Sequence, residues 1–257
     1  MIAQDLQRIL GRKGWLSDPV DLHTYATDWI GRSNIMPIGI ARPANTDEVS
    51  QTVRACAAAG VHIVPQGGRT GLVMGNLPHR ENSIILSMSR MNRIAPINPD
   101  DFCVSLEAGV VLEQLHQNLD GTGLMFPLHL GAEGTAQIGG LIATNAGGNM
   151  AFRYGMMMDQ ILGLEVVLPD GRVWNGMRRL IKDNAGFHLR RLFCGSEGRL
   201  GIITAAILRL HNAPKSRATA LFAVRSMQDV MHVGTAFRYR LGELVTGLEF
   251  MNDTVLD

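Results

Sequence analysis

Long apolar runs, paired cysteines and a dominant charge are all missing from this chain of 257 residues. No window approaches the ~18 uninterrupted apolar residues of a membrane-spanning helix, so none is expected. The three cysteines, Cys56, Cys103 and Cys194, lie far apart with no C-x-x-C between them. That spacing argues against a disulfide framework or a zinc ribbon, and points to a reducing, cytoplasmic setting. Cys56 falls in an apolar helical pattern and reads as core. The formal net charge is +1, so no global field suggests nucleic acid or an anionic membrane as partner. The opening stretch MIAQDLQRILGRKGW lacks the apolar core of a signal peptide and reads as a short docking helix.

Several catalytic signatures are missing too. There is no H-E-x-x-H, and the eight histidines are scattered. Without recognised ligand spacing, no metal site is expected within the chain. The first glycine loop is neither G-x-G-x-x-G nor followed by Gly-Lys-Ser/Thr. A Rossmann dehydrogenase or a nucleotide hydrolase therefore loses its main support. Gly195-Ser196-Glu197-Gly198 is not the nucleophile elbow G-x-S-x-G.

What the chain does have is glycine. Its 29 glycines are roughly one residue in nine, above the ~7% average. Many fall in three loops. The first is Pro65-Gln66-Gly67-Gly68-Arg69-Thr70-Gly71-Leu72. The second, residues 131–155, holds seven glycines and almost no charge. The third is Gly195-Ser196-Glu197-Gly198-Arg199-Leu200-Gly201. Glycine lets a backbone come close to a ligand. Successive N–H groups in such turns make concave anion sites. A ligand with phosphates and a flat ring system suits this surface, and the three loops are expected to close around one large cofactor. Thr70 can donate to a phosphate oxygen, and Arg69 either screens phosphate charge or lies exposed. His129 stands beside the second loop, as a core or surface histidine or as a cofactor contact. Arg153-Tyr154 either approaches the cofactor or seals the loop, and Met156-Met157-Met158 reads as plastic packing.

The remaining pattern predicts a small α/β unit with parallel pairing near the start, then further strands and helices. Strands are expected at 38–43, 61–64 (buried), 84–88, 102–107, 161–168, 201–210 and 220–224. Helices are expected at 1–13, 46–59 (capped by Asn45 with Glu48 three residues on), 111–119, 189–194 and 227–239. Pro169-Asp170-Gly171 signals a hairpin. Residues 14–36 read as irregular, with turns at Asp18-Pro19 and Ser33-Asn34.

Taken together, PQGGRTGL (65–72), GAEGTAQIGGLIATNAGG (131–148), RYG (153–155), LGLEVVLPDGRV (162–173) and KDNAGFHLRRLFCGSEGRLGIITAAILRL (182–210) resemble one family. It is the FAD-linked D-2-hydroxyacid dehydrogenases of the vanillyl-alcohol oxidase superfamily. These include D-lactate dehydrogenases, the glycolate oxidase catalytic subunit and D-2-hydroxyglutarate dehydrogenase, the last being the most similar. The resemblance implies an α+β FAD-binding domain of the PCMH type, with FAD between two α/β subdomains. It implies cofactor contacts from Pro65, Gln66, Gly67, Gly68, Arg69, Thr70, Gly71 and Leu72. It implies others from Gly131, Ala132, Thr135, Ile138, Gly139, Gly140, Thr144, Ala146, Gly147, Gly148 and Tyr154. The third loop would add Glu197, Gly198, Gly201, Ile202 and Ile203.

The chain departs from the family pattern at three positions. Arg69 replaces a frequent glycine or asparagine, Met74 interrupts a common Gly-Gly pair, and His129 stands where relatives often carry aspartate. The first loop has no His or Cys, so FAD is expected to be non-covalent. In such enzymes a D-2-hydroxyacid gives its hydroxyl proton to a base and its α-hydrogen, as hydride, to the flavin. The base and metal ligands belong to a second half, so no catalytic residue is assigned here. By this resemblance, 1–35 is a helical segment, 36–215 the FAD domain and 216–257 the opening of a substrate cap. Quinone, cytochrome and electron-transfer flavoprotein all stay open as electron acceptors. Two other readings stand beside this one: a flavin oxidase of another alcohol, and a non-catalytic flavin-binding subunit that needs a partner cap.

Overall fold

The computed structural model describes residues 2–33 and 35–256, so the Ser33-Asn34 turn lies partly outside the described residues. Helix α1 (Ile2–Gly14) buries Leu6 and Leu10, as its apolar spacing predicts. Strand β1 (Trp15–Leu16) follows, then helix α2 (Pro19–Tyr25). Asp18-Pro19 is therefore a helix start, not the turn expected. Asp18 accepts the Val20 N–H at 2.9 Å, and Pro19 takes the first helical position, where its missing N–H costs nothing.

Strand β2 (Ile40–Ala41) leads into α3 (Thr46–Ala59). Asn45 accepts the Glu48 N–H at 2.9 Å, and the Glu48 carboxylate reaches back to the Ala44 N–H at 2.7 Å. Gly60 ends the helix at φ 66, a left-handed turn that suits glycine. Strands β3 (His62–Gln66) and β4 (Ser83–Ser87) complete the first sheet, in the order β1-β2-β4-β3. β2, β4 and β3 run parallel, and β1 is antiparallel. β4 is central and buried throughout. β3 lies at the edge and is half-exposed, which corrects the buried strand expected at 61–64.

The second lobe begins with β5 (Cys103–Glu107), α4 (Leu112–Leu119) and β6 (Leu124–Met125). Two short helices, α5 (Ile138–Ala143) and α6 (Ala151–Tyr154), lie in the long glycine segment. Then come β7 (Ile161–Val167), β8 (Val173–Gly176), α7 (Leu189–Phe193), β9 (Ile202–Arg209) and β10 (His211–Asn212). The second sheet, β5-β9-β7-β8, is antiparallel throughout, and β6 pairs with β10 separately. The β7–β8 hairpin turns at Gly171, φ 81, as its Pro-Asp-Gly signal predicts. Helices α8 (Met227–Leu241) and α9 (Asp253–Leu256) follow. The strand expected at 220–224 does not form. No neighbouring strand offers it an edge, and Phe222 instead packs against Phe237 of α8, ring centroids 5.5 Å apart.

One apolar cluster runs through both lobes, from Leu6 and Val49 through Leu86 and Ile138 to Leu208. Cys56 is in it, fully buried, and burial pushes its thiol pKa up to about 11. Polar bonds reinforce the junction. Ser50 on α3 donates to Gly171 O at 2.6 Å. The Glu165 carboxylate on β7 accepts from Thr46 at 2.6 Å and from Thr204 on β9 at 2.7 Å. Among the described residues, no helix is long and apolar enough to cross a membrane.

Candidate functional site

The three glycine loops meet where the lobes join. A Cβ built on Gly68 would lie 1.9 Å from Thr135 O, and one on Gly67 would lie 3.5 Å from Gly140 Cα. The first loop therefore lies directly on the start of α5. A Cβ on Gly139 would meet the Ala108 Cβ at 2.8 Å, so α5 in turn sits tight on the chain after β5. The third loop closes on both others. Gly198 packs on the Pro65 ring, Glu197 N–H donates to Ala143 O at 2.8 Å, and Gly195 N–H donates to Ile142 O at 3.1 Å. Asn145, at φ 48, ties the second loop further. Its side-chain oxygen accepts the Met158 N–H at 2.9 Å and the Cys194 thiol at 3.5 Å.

The loop surface has spare donors. Among the described residues, the backbone N–H groups of Gly67, Gly68, Arg69, Thr70 and Gly71 reach no protein acceptor, and neither does the Thr70 hydroxyl. Five consecutive free amides in a glycine turn are the makings of an anion nest. Buried side-chain atoms beside them are also unpartnered: both polar atoms of Asn76, Gln66 Oε1 and Gln137 Oε1. Buried polar atoms normally find partners, so this wall fits a ligand with phosphate and amide-like groups. Arg69 and Met74 adopt φ 60 and 62. These are two of the positions at which the chain departs from the family pattern, and left-handed φ is the physical reason glycine or asparagine suits them.

The remaining predicted residues divide. Ile138, Gly139, Gly201, Ile202 and Ile203 are buried where α5 and β9 pack. Leu72, Gly131, Thr135, Thr144 and Gly147 are exposed along the surface, and Ala132, Gly140, Ala146 and Gly148 are half-buried. Gly148 is pressed on His129 O, and Gly147 on the Met156 thioether. Tyr154 meets His211 edge-on, ring centroids 4.7 Å apart, and the Arg153 guanidinium lies over its ring at 4.9 Å. His211 also pairs with Gln160 at 2.9 Å. Burial, then Arg209 and Arg153, push its pKa down to about 4.

Two clefts border the surface. A largely apolar one is lined by Val53, Ile63, Pro65, Val167, Gly198 and Ile202, together with His62 and Arg199. A polar one is lined by His129, Gly131, Glu133, Gly148, Asn149 and Glu249. At its rim the structure gathers a group that sequence spacing does not reveal. His116, His129 and Glu133 place donor atoms within 4.8 Å of one another. This qualifies the expectation that no metal-ligand grouping forms. His129 Nδ1 lies 3.1 Å from Glu133, and His116 Nε2 pairs with Leu128 O at 3.0 Å. The two imidazoles stack at 4.3 Å with planes 7° apart. Their in-plane lone pairs therefore run parallel and do not converge on a common ion. Burial, then the neighbouring His129, lower the His116 pKa.

Comparison with known proteins finds relatives of this chain and of its fold. D-2-hydroxyglutarate dehydrogenase, mitochondrial, of Danio rerio is 39% identical over 246 residues, covering 94% of this chain and 45% of its own length. The D-2-hydroxyglutarate dehydrogenase of Xanthomonas citri pv. viticola is 37% identical over 241 residues, covering 94% and 50%. The chain thus spans about half the length of these curated relatives. A solved alkyldihydroxyacetonephosphate synthase shares the fold, with a TM-score of 0.74 at 22% identity over 84% of this chain and 41% of that one. The Danio rerio relative is mitochondrial by name, which overturns the cytoplasmic location expected above. Sparse cysteines report redox conditions, not the compartment that provides them. A family model described as FAD binding domain matches residues 37–176, which take in the first two glycine loops, and the chain belongs to that family.

Proposed function

We propose that this chain is the cofactor-holding part of an FAD-dependent dehydrogenase that oxidises a D-2-hydroxyacid to the 2-oxoacid. D-2-hydroxyglutarate heads the class, with D-lactate and glycolate as smaller members. The observation that carries the reading is the row of free amides at Gly67–Gly71, laid against the start of α5. In this reading those amides and Thr70 hold the pyrophosphate, and the orphaned atoms of Asn76 and Gln137 meet further polar groups of the cofactor. Pro65, Gly198 and Ile202 receive a flat ring, while Gly140, Ala146, Gly147 and Gly148 let backbone lie against the rest. FAD, when bound, supplies the acceptor for a hydride. Attachment is non-covalent, since residues 65–72 contain neither His nor Cys.

Residues 36–215 form the FAD unit in this reading, and 216–257 open the substrate cap. Leu221, Met227, Met231 and Leu244 are each more than half exposed on that last stretch, which suits a segment that packs against further protein. The substrate's base and its carboxylate partners then come from the cap or from a partner chain.

The test is the visible spectrum of the purified chain loaded with FAD, before and after adding D-2-hydroxyglutarate or D-lactate. Flavin absorbance that is released on denaturation is expected. Bleaching should require the cap. A chain that takes up no FAD refutes the reading.

A further inference from the structure

The first glycine loop has free amides, and no bond between its own residues 67–71 fixes its shape. What fixes it comes from the segment after α2. Arg69 donates from Nη1 to Thr24 O, and its guanidinium lies 5.4 Å from the Tyr25 ring centroid. Arg32 Nη2 donates to Leu72 O at 2.7 Å. Arg32 is itself anchored on Asp28, through Nε at 2.8 Å and its backbone N–H at 2.8 Å. Gln66 Nε2 donates to Tyr25 O and Asn76 O, both at 2.9 Å. Residues 24–32 therefore hold the loop at its start, its middle and its far end.

We propose that Tyr25, Asp28 and Arg32 form a clamp that sets the conformation of the phosphate loop, with Arg69 as its positioning residue and not as a phosphate ligand. The inference rests on the FAD reading for its purpose, but not for its geometry. A left-handed arginine is strained, so its side-chain contacts must compensate. Here the guanidinium is already engaged by a carbonyl and an aromatic face, an arrangement that suits its planar, weakly hydrated cation. Asp28 is the fixed post. Burial alone would raise its pKa, but hydrogen bonds from Arg32 and Ile30 outweigh it and hold the carboxyl below the usual range. Arg32 thus keeps an ionised partner at neutral pH.

The test takes the full chain through two measurements. The first is backbone 15N relaxation at amides 67–72 without cofactor, whose order parameters report how firmly the loop is held. Arg69→Gly and Tyr25→Leu should each lower them into the flexible range, below about 0.6. Tyr25→Leu leaves the loop's own sequence intact, which separates the clamp from the flexibility a new glycine adds. The second is FAD affinity in a double-mutant cycle. Arg69→Gly should weaken binding about tenfold and Tyr25→Leu by less, and the pair together no further than Arg69→Gly, which already removes the ring contact along with the bond to Thr24 O. Arg69→Lys keeps the charge but loses the planar stack, so it should behave like Arg69→Gly. The proposal is overturned if Tyr25→Leu leaves order parameters and affinity unchanged while Arg69→Lys restores full binding, the pattern of a phosphate ligand. If even the wild-type chain binds no FAD, the functional reading fails, and the order parameters still decide the clamp.

Discussion

Replacing Gly68 with alanine puts a number on how closely the first two loops must touch. The new Cβ would lie 1.9 Å from Thr135 O, 2.7 Å from Thr135 C and 3.0 Å from Ala136 Cα. All three obstacles are backbone, so no side chain can rotate away. An ordinary contact needs about 3.5 Å, so the loop must lift by roughly 1.5 Å. In a closed core such overpacking costs about 1–3 kcal/mol. This loop is half-exposed and can rise, so the fold should survive and the loss should fall on the cleft. A lift of that size carries an amide beyond hydrogen-bond reach of a fixed phosphate, about 3.2 Å. One charge-assisted bond is worth about 1.5–3 kcal/mol, which translates to FAD binding roughly 10- to 150-fold weaker. Titration of the flavin-free protein, followed by quenching of FAD fluorescence, measures it. A thermal melt checks the fold. Binding within twofold of wild type at an unchanged melting temperature would refute the reasoning.

Three further outcomes are expected. Gly234 lies inside α8 with nothing within 4 Å of a built Cβ, so Gly234→Ala should stabilise by about 0.5–1 kcal/mol and leave FAD binding unchanged. Thr204→Val removes a fully buried donor to Glu165 and should lower stability by about 1–3 kcal/mol in urea unfolding. Thr46→Val should couple to it, because the two hydroxyls share one carboxylate oxygen. His211, with its pKa lowered to about 4, takes up its proton more readily when unfolded. Its contribution is whole above about pH 6.5 and fades as pH falls from there toward 4. Acid unfolding of His211→Gln should lack that part of the pH dependence.

Much of the fold is readable from local signals. Asn45 and Glu48 announce α3, Gly60 ends it, and Pro169-Asp170-Gly171 announces the β7–β8 hairpin, because each signal acts within a few residues. The glycine loops are legible for the same reason: their composition departs from the background wherever they fold. Features that depend on distant partners are not. Residues 220–224 carry strand-forming side chains but meet no edge. Asp18-Pro19 fits a turn and a helix start equally well until the following residues choose. The His116–His129 stack, and the bonds from Arg69 and Arg32 to the other side of the first loop, join residues 13 to 45 apart in sequence. No spacing rule spans them. Even the odd residues Arg69 and Met74 make sense only once their left-handed φ is known.

The apolar cluster shared by the two lobes bears on how a cofactor gets in and out. Ser50, Thr46 and Glu165 bond across a junction whose apolar neighbours belong to both sheets. A rotation of one lobe against the other would tear that junction open and expose Val49, Leu86 and Ile138 to water. Such a hinge would cost a large part of the stability of the whole unit. In the FAD reading, exchange of the cofactor then proceeds by motion of the glycine loops, with the lobes standing still. The lifetime of the complex is then set by how often those loops lift.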